Sequence, residues 1–563
     1  MKSKILTGIM LILLLALLLT GFNTPISASD TNLTGEIELG GLFSLTGDLA
    51  TFGENELVAA ELAVDEVNDL LEDMEADWTL KLVAKDTEID PDVALEKTES
   101  LAASGIKLIV GPLSSMEIRA IKMYCDANEI LAISQSSTAA DLAIADDYIF
   151  RFCPSDRLGQ GPAIGRIMYD DGKRYVIPVT RNDAWGVGLE EAVKTRFEAL
   201  GGTFLMGIRY DPEATEFATE VNYLAGAAQD AIDDYGADNV SILHISFDEV
   251  REFMTAANAH TVLKTVKWYG SDGTATSGSM LWDEDVRDFA MSVEYPCTIF
   301  GPTHSEKWEK VRQNGIAQLG REPESYSYNV YDIVWVYALS LLEVDDYDSD
   351  AVKAVLPTVA RNYFGASGWI ELDDTGDRKA GDYDIWQIKQ IALNLYDWEV
   401  VGMYIFATDS VVWSPITPTP VYVFEPVWNS EIFYVVTESN STVSDYYFNP
   451  DSGPFIRFDV TGSDGTTGFC KVAIPKQLLW IEDEDWTVLV DGVPVDATVI
   501  EEDDYYTYLY FTYSHSTKTV EITGTDIVPE FPATLILPLF LVLTLIAVAL
   551  TKKNRCKVTA KTT

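Results

Sequence analysis

Residues 107–138 read KLIVGPLSSMEIRAIKMYCDANEILAISQSST, and this stretch decides the fold. The apolar run 107–110 is short and ends at Gly111-Pro112, the pattern of a fully buried strand stopped by a turn. Residues 114–128 continue as a helix, and residues 130–134 form the next buried strand. Strand, helix and strand in so few residues make a βαβ unit, which implies a parallel sheet covered by helices. Both strands run into turns rich in small hydroxyls, Gly111-Pro112-Leu113-Ser114-Ser115 and Ser134-Gln135-Ser136-Ser137-Thr138. Hydroxyls and free backbone N–H groups at a helix N-terminus suit a carboxylate. Each turn alone reads as ordinary helix capping; two of them at one sheet edge read as a ligand site.

The same rhythm extends outward. Upstream, strands are predicted at 36–43 and 79–85 and helices at 54–73 and 92–103. Leu57, Ala60, Val64, Val67 and Leu71 recur at spacings of 3 and 4, one apolar helix face. After Pro154-Ser155-Asp156 the alternation restarts, with strands at 175–179, 203–210, 240–245 and 265–269 and helices at 188–200, 215–235 and 249–258. The expectation is a bilobal α/β domain over 30–410, with lobe one at about 36–155 plus a later return and lobe two at about 156–290 plus part of the remainder. Ligands of such folds bind between the lobes, at the carboxyl ends of parallel strands.

Residues 411–420 are a Pro/Thr linker, Ser414-Pro415-Ile416-Thr417-Pro418-Thr419-Pro420 at its centre. Residues 421–525 are rich in Tyr, Val, Thr and Phe with Asp-Gly turns at Asp464-Gly465 and Asp491-Gly492, which predicts a small β-sandwich, a stalk or spacer. Residues 1–29 have a basic start, an apolar run from Ile5 to Leu19 and a small-residue exit at Ser27-Ala28-Ser29, the form of a secretory signal peptide. Residues 529–555 carry an apolar segment from Ala533 to Leu550 followed by Lys552, Lys553 and Arg555, a C-terminal transmembrane helix with a cytoplasmic basic end. The chain between would lie on the extracellular face of the cell membrane. Sequons at Asn32, Asn239 and Asn440 fit an exported chain.

With 89 acidic and 39 basic residues the net charge is −50, which excludes nucleic acid as a partner. The five cysteines form no CxxC pair; an exported chain permits disulfides, and Cys125–Cys153 is the pair to test. The four histidines form no metal pattern, and neither a nucleotide loop nor a GxSxG is present. No catalytic residue, cofactor or metal is therefore assigned. The run Asp373-Asp374-Thr375-Gly376-Asp377 reads as a solvated turn or a Ca²⁺ loop.

Several of these segments, in their order, resemble the branched-chain amino-acid-binding family of ABC-transporter substrate-binding proteins, the type I periplasmic-binding fold. They are Ser44-Leu45-Thr46-Gly47, Phe52-Gly53, Asp65-Glu66-Val67-Asn68, Asp86 with Asp90-Pro91, both hydroxyl turns, Arg151 with Pro154-Ser155-Asp156, Gln160-Gly161, Asp183-Ala184-Trp185-Gly186, Gly270-Ser271-Asp272-Gly273, Gly365-Ala366-Ser367-Gly368 and Gly376-Asp377-Arg378. The resemblance covers 36–410 and implies two doubly wound parallel sheets joined by a hinge. It implies that Ser115, Ser137 and Thr138 hold a ligand α-carboxylate, that Ser136 offers a backbone contact, and that Asp272 pairs with an α-ammonium. Phe52, Trp185 and Phe247 would be aromatic walls. Phe52 and Trp185 stand where the family often has Tyr, which alters side-chain preference. The implied function is a non-enzymatic receptor for an amino acid or amide-like solute, working with an ABC permease and its ATPase. A surface-anchored sensor or adhesion protein on the same fold is the alternative, and a secreted hydrolase a third class. The end of the chain, Pro529-Glu530-Phe531 with its apolar segment and basic tail, resembles an archaeal PEF-type sorting signal, which implies exchange of the helix for a lipid.

Overall fold

The computed structural model describes residues 32–524, except 380, 394, 414–418, 429–430, 450–452, 480 and 482–485. The predicted signal peptide, the C-terminal apolar segment and residues 414–418 of the linker lie outside the described residues, and residues 411–413 belong to a strand. Among those described, no helix is long and apolar enough to cross a membrane. The chain divides into two compact units, Met1–Pro418 and Thr419–Thr563.

In the first unit, strands β1 (Gly35–Phe43), β2 (Trp78–Asp86), β3 (Leu108–Val110), β4 (Leu131–Ser134) and β5 (Ile149–Arg151) form a parallel sheet in the order β2-β1-β3-β4-β5. Helices α1 (Ala50–Asp73), α2 (Pro91–Ala103) and α3 (Ser115–Asn128) are the crossovers. Each start has a chemical cause. Asp90 accepts from the N–H groups of Asp92 and Val93 with Pro91 at the first helical position. Ser114 and Glu117 exchange side-chain and backbone bonds in a capping box.

Lobe two repeats the plan. Helix α4 (Gln160–Asp170) leads into β6 (Tyr175–Arg181), α5 (Ala184–Ala199), β7 (Thr203–Phe204), β8 (Ile208–Tyr210), α6 (Ala218–Tyr235), β9 (Val240–Ile245), α7 (Val250–Ala257) and β10 (Lys267–Tyr269). The sheet order is β10-β9-β6-β7, with β8 also on β6, all parallel. Two predicted spans of lobe two change most. The helix expected from 188 begins at Ala184, because the Asp183 carboxylate caps the Gly186 N–H at 2.7 Å. The strand expected over 203–210 is broken, because Pro178 in the middle of β6 has no N–H to offer, and Gly207 packs directly on it.

After α8 (Gly278–Trp282) and α9 (Glu284–Ser292), strand β11 (Cys297–Gly301) precedes a return to lobe one. The return comprises α10 (Glu306–Leu319), α11 (Ser325–Val344), α12 (Ser349–Asn362) and the short pair β12 (Phe364–Gly365) and β13 (Gly368–Trp369). It is tied in by side chains: Tyr337 donates to the carbonyls of Ile109 and Leu131 at 3.0 and 2.9 Å, and Asn329 to that of Gln135 at 2.9 Å. The chain then rejoins lobe two, where β14 (Asp382–Ala392), β15 (Leu395–Ile405) and β16 (Ser410–Trp413) extend β11 as an antiparallel sheet. Lobe two thus runs past 290 to Gly301 and recruits this late hairpin.

The four described cysteines are buried free thiols, so the Cys125–Cys153 pairing is corrected. Cys125 lies in the apolar cluster between α2, α3 and the first sheet, whereas Cys153 belongs to the cluster that fills lobe two and the cleft. In the Asp373–Asp377 run, Asp373 Oδ1 accepts from Thr375 N, Thr375 Oγ1 and Asp377 N, the bonding of a closed turn.

The second unit, by itself, has two five-stranded antiparallel sheets, in several strands of which buried and outward residues alternate. In Phe455–Thr461, for instance, Ile456, Phe458 and Val460 are fully buried while Arg457 points to solvent. Residues of both sheets, among them Ile456, Phe458, Val472, Phe511 and Ile522, share one apolar core.

Candidate functional site

Strands β1, β3 and β4 end at one sheet edge, so their turns converge. The turn after β1 is held by Asp86, which accepts from Leu45 N, Thr46 N and Thr46 Oγ1 at 2.9, 3.3 and 2.8 Å; this delivers Leu49 and Phe52 at the start of α1. The turn after β3 needs Gly111, whose φ is +92° and where a Cβ would stand 2.3 Å from the Leu42 carbonyl oxygen. It presents Leu113, Ser114 and Ser115. The turn after β4 is sewn to it. Ser134 Oγ donates to Pro112 O at 2.7 Å, Ser136 Oγ to Leu113 O at 2.9 Å and Ser137 Oγ to Ser115 Oγ at 3.2 Å. Ser115 Oγ also accepts from Ala139 N at 3.1 Å.

Behind this edge lies a fully buried guanidinium. Arg151 donates to the carbonyls of Ser137 and Ala139 at 2.9 and 2.7 Å and forks onto the Asp377 carboxylate of the return segment. Such a bidentate charge-assisted pair is directional as well as strong. It fixes the shape of the hydroxyl turn and couples it to the segment that re-enters lobe two.

Lobe two supplies the opposite wall. Trp185, in the first turn of α5, stacks on Phe247 with ring centroids 4.6 Å apart, and the Arg181 guanidinium lies 4.0 Å from the Phe247 ring centre on its other contact. Arg181 is itself held by Asp183 and Glu249 at 2.6 and 2.7 Å, so the wall is rigid and its cation neutralised. Asp272 follows β10. Its carboxylate accepts from Tyr326 Oη, at the start of α11, at 2.7 Å and from Gly273 N at 3.0 Å. Gly273 allows close approach: a Cβ there would meet Ser246 O at 2.5 Å and the Trp185 ring at 2.8 Å.

Between the walls is a cleft with an empty volume of about 350 Å³, its open mouth included. Phe52, Ser115, Ser136, Trp185, Phe247 and Asp272 line it, six of the eight residues expected from the sequence. Ser137 and Thr138 do not line it. They sit one layer back, fully buried, with their hydroxyls committed to Ser115 and to Asp156 Oδ2 at 3.0 Å. Leu49, Leu113, Ser114, Gly273 and Tyr326 line the cleft and were not assigned from the sequence. Leu113 and Ser114 were signalled by the turn itself. Tyr326 had no local signal, because it arrives from the return segment.

The electrostatics are one-sided. No Lys, Arg or His is among the lining residues. Burial raises the proton affinity of Asp272, and burial together with the Asp272 charge raises that of Asp156 well above the ordinary carboxylate range. Asp272, facing neutral hydroxyl donors across the cleft, can take a zwitterion: a cationic group at its carboxylate and a carboxylate at the hydroxyl edge. Among the described residues no cluster of His, Cys, Asp and Glu is arranged to hold a metal ion. His244 is buried among aromatic rings, and burial lowers its pKa to about 3, as for a neutral core imidazole.

The family described as "Receptor family ligand binding region" matches residues 55–391, more than half of the chain. An uncharacterized protein of Methanocaldococcus jannaschii is 31% identical over 399 residues, covering 67% of this chain and 91% of that protein. The Leu/Ile/Val-binding protein BraC3 of Rhizobium johnstonii is 20% identical over 366 residues, covering 65% of this chain and 92% of that protein. The crystal structure of the leucine-binding protein LivK of Thermotoga maritima superposes with a TM-score of 0.55 at 18% identity, over 67% of this chain and 99% of that one.

Proposed function

The chain belongs to the receptor family ligand-binding region, and on that premise we propose that it is the extracytoplasmic substrate-binding receptor of an ABC importer, specific for an amino acid or related small solute. The family binds ligands and is not enzymatic. One observation carries the reading: a hydroxyl-rich edge of lobe one faces a buried carboxylate, Asp272, of lobe two across an aromatic-walled cleft. In this reading the Ser115 hydroxyl and the Ser136 backbone receive the α-carboxylate, while Ser137 and Thr138 hold that turn in shape. Asp272 receives the α-ammonium, and Phe52, Trp185 and Phe247 enclose the side chain. Charge-assisted bonds of this kind are strongest where water is excluded. Ligand contacts on both lobes favour the closed state, because half of them are absent when the cleft is open. The Leu/Ile/Val binding for which the Rhizobium relative is named supports an α-amino acid as the ligand class.

The closed receptor would dock on a permease driven by a separate ATPase. An N-terminal signal over 1–29 and an anchor over 529–555, as a helix or as the lipid that replaces it, would keep the receptor at the outer face of the membrane. The all-β second unit would act as a spacer. The test is a thermal-shift screen of the full chain against the common amino acids and their amides, with Asp272→Ala alongside. A ligand at 100 times its Kd stabilises by about 2.7 kcal/mol. The expected result is a shift with an α-amino acid that Asp272→Ala abolishes. A shift with a solute that lacks an ammonium group, unchanged in Asp272→Ala, would remove the α-amino acid from the proposal. Silence across the panel would favour a sensor or adhesion role.

A further inference from the structure

We propose that the ligand is an aromatic α-amino acid, and that Trp185, stacked on Phe247 and through it on Arg181, selects the ring; this rests on the amino-acid-receptor reading above. The three side chains come from neighbouring strands of the lobe-two sheet. Arg181 ends β6, Trp185 stands in the first turn of the helix after it, and Phe247 follows β9, the parallel neighbour of β6. Their order in space is guanidinium, phenyl, indole. Arg181 lies 4.0 Å from the Phe247 ring centroid, and the Phe247 and Trp185 centroids are 4.6 Å apart with the rings 21° from parallel. All three side chains are almost wholly buried.

Two carboxylates brace this stack, each with both oxygens. Asp183 accepts from Arg181 Nε at 2.6 Å and from Gly186 N at 2.7 Å, which fixes the helix start that carries Trp185. Glu249 accepts from Arg181 Nη1 at 2.7 Å and from Phe247 N at 3.2 Å. Gly273 brings a peptide against the edges of both rings, where a Cβ would stand 2.7 Å from Phe247 Cδ1 and 2.8 Å from Trp185 Cη2. The platform is held by the protein's own bonds, so binding costs it little ordering.

Trp185 and Phe247 both line the cleft, so the stack ends where the ligand side chain lies. Its far end is a buried cation, which draws π-electron density away from the cleft and suits the near end to a further, electron-rich ring. An aliphatic side chain gains only buried area from this wall, and Leu49 and Leu113 of lobe one offer the same. A planar ring gains the stacking contact besides. Phe52 lines the cleft from lobe one, so closure sandwiches the ring between the lobes.

Phenylalanine and cyclohexylalanine carry the same charges on side chains of like size and differ in the aromatic ring, so their comparison separates stacking from area. Isothermal titration of the full chain is expected to give phenylalanine about fivefold tighter binding than cyclohexylalanine or leucine. Trp185→Leu is expected to bring phenylalanine and cyclohexylalanine within about twofold of each other, whereas Trp185→Tyr, which keeps a ring, retains the preference. The wild-type comparison decides the matter alone if Trp185→Leu does not fold. Leucine or cyclohexylalanine binding as tightly as phenylalanine, or a phenylalanine preference that survives Trp185→Leu, overturns the inference and leaves the amino-acid receptor standing. So does silence of all three ligands when another amino acid is active in the thermal-shift panel. Silence of every amino acid in that panel overturns the amino-acid reading itself.

Discussion

At the scale of the residue, the acids of this protein do more than set its charge. Asp384 on β14 is almost wholly buried, and burial with the neighbouring Asp382 pushes its pKa up to about 7. A carboxyl whose proton affinity is higher folded than unfolded stabilises the fold fully below its unfolded pKa, near 3.8, and that contribution is lost as pH rises through about 7. The window is therefore pH 4 to 7, at about 1.4 kcal/mol for each pH unit crossed. Urea melts at pH 5 and pH 8 are expected to show a smaller loss of stability in Asp384→Asn than in the wild type. Equal losses would mean that Asp384 titrates normally. Both proteins will still decline, because Glu117 and Asp332, each raised to about 6 by burial, act with the same sign. Of the cleft lining, Asp272 was reached through the family resemblance, whereas Ser115 and Ser136 were legible from the hydroxyl turns that follow short apolar runs. Ser137 and Thr138 look equivalent to them on paper. They turn inward because Ser134 Oγ and the Arg151 guanidinium coil the turn beneath them, and Arg151 depends on Asp377, 226 residues away.

At the scale of the element, helix starts tie stability to binding. Asp90 and Ser114 are both N-caps of lobe one, but only Ser114 lines the cleft. Replacing either by Ala is expected to cost about 1 kcal/mol of stability in denaturant melts. Ligand affinity, measured in parallel, is expected to fall only in Ser114→Ala. A matching fall in Asp90→Ala would mean that the cap acts through the whole lobe. The same elements explain what was readable. Period 3.6 in the 54–73 helix and short apolar strands bounded by Gly and Pro gave the parallel sheets. Boundaries failed where a single side chain intervened, as with the Asp183 cap that adds a turn to α5 and the missing N–H of Pro178 that splits the next strand. The late β14–β15 hairpin escaped a βαβ reading, because antiparallel pairing on β11 follows a different rule from the rhythm that precedes it.

At the scale of the whole molecule, two units with separate cores imply two cooperative transitions in calorimetry. A saturating ligand is expected to raise the midpoint of one transition and leave the other in place, since the cleft lies wholly in the first unit. Ligand-dependent shifts of both would show that the units unfold together. Lobe one has one more property of this order. Its strands are complete by Arg151, yet α11, which supplies Tyr337 to the strand carbonyls and Asn329 to the hydroxyl turn, is not made until residue 344. During synthesis, therefore, the lobe-one strands, complete at Arg151, wait for a helix that is finished almost two hundred residues later. The order of the genetic message therefore delays the completion of lobe one until most of the ligand-binding unit has been translated.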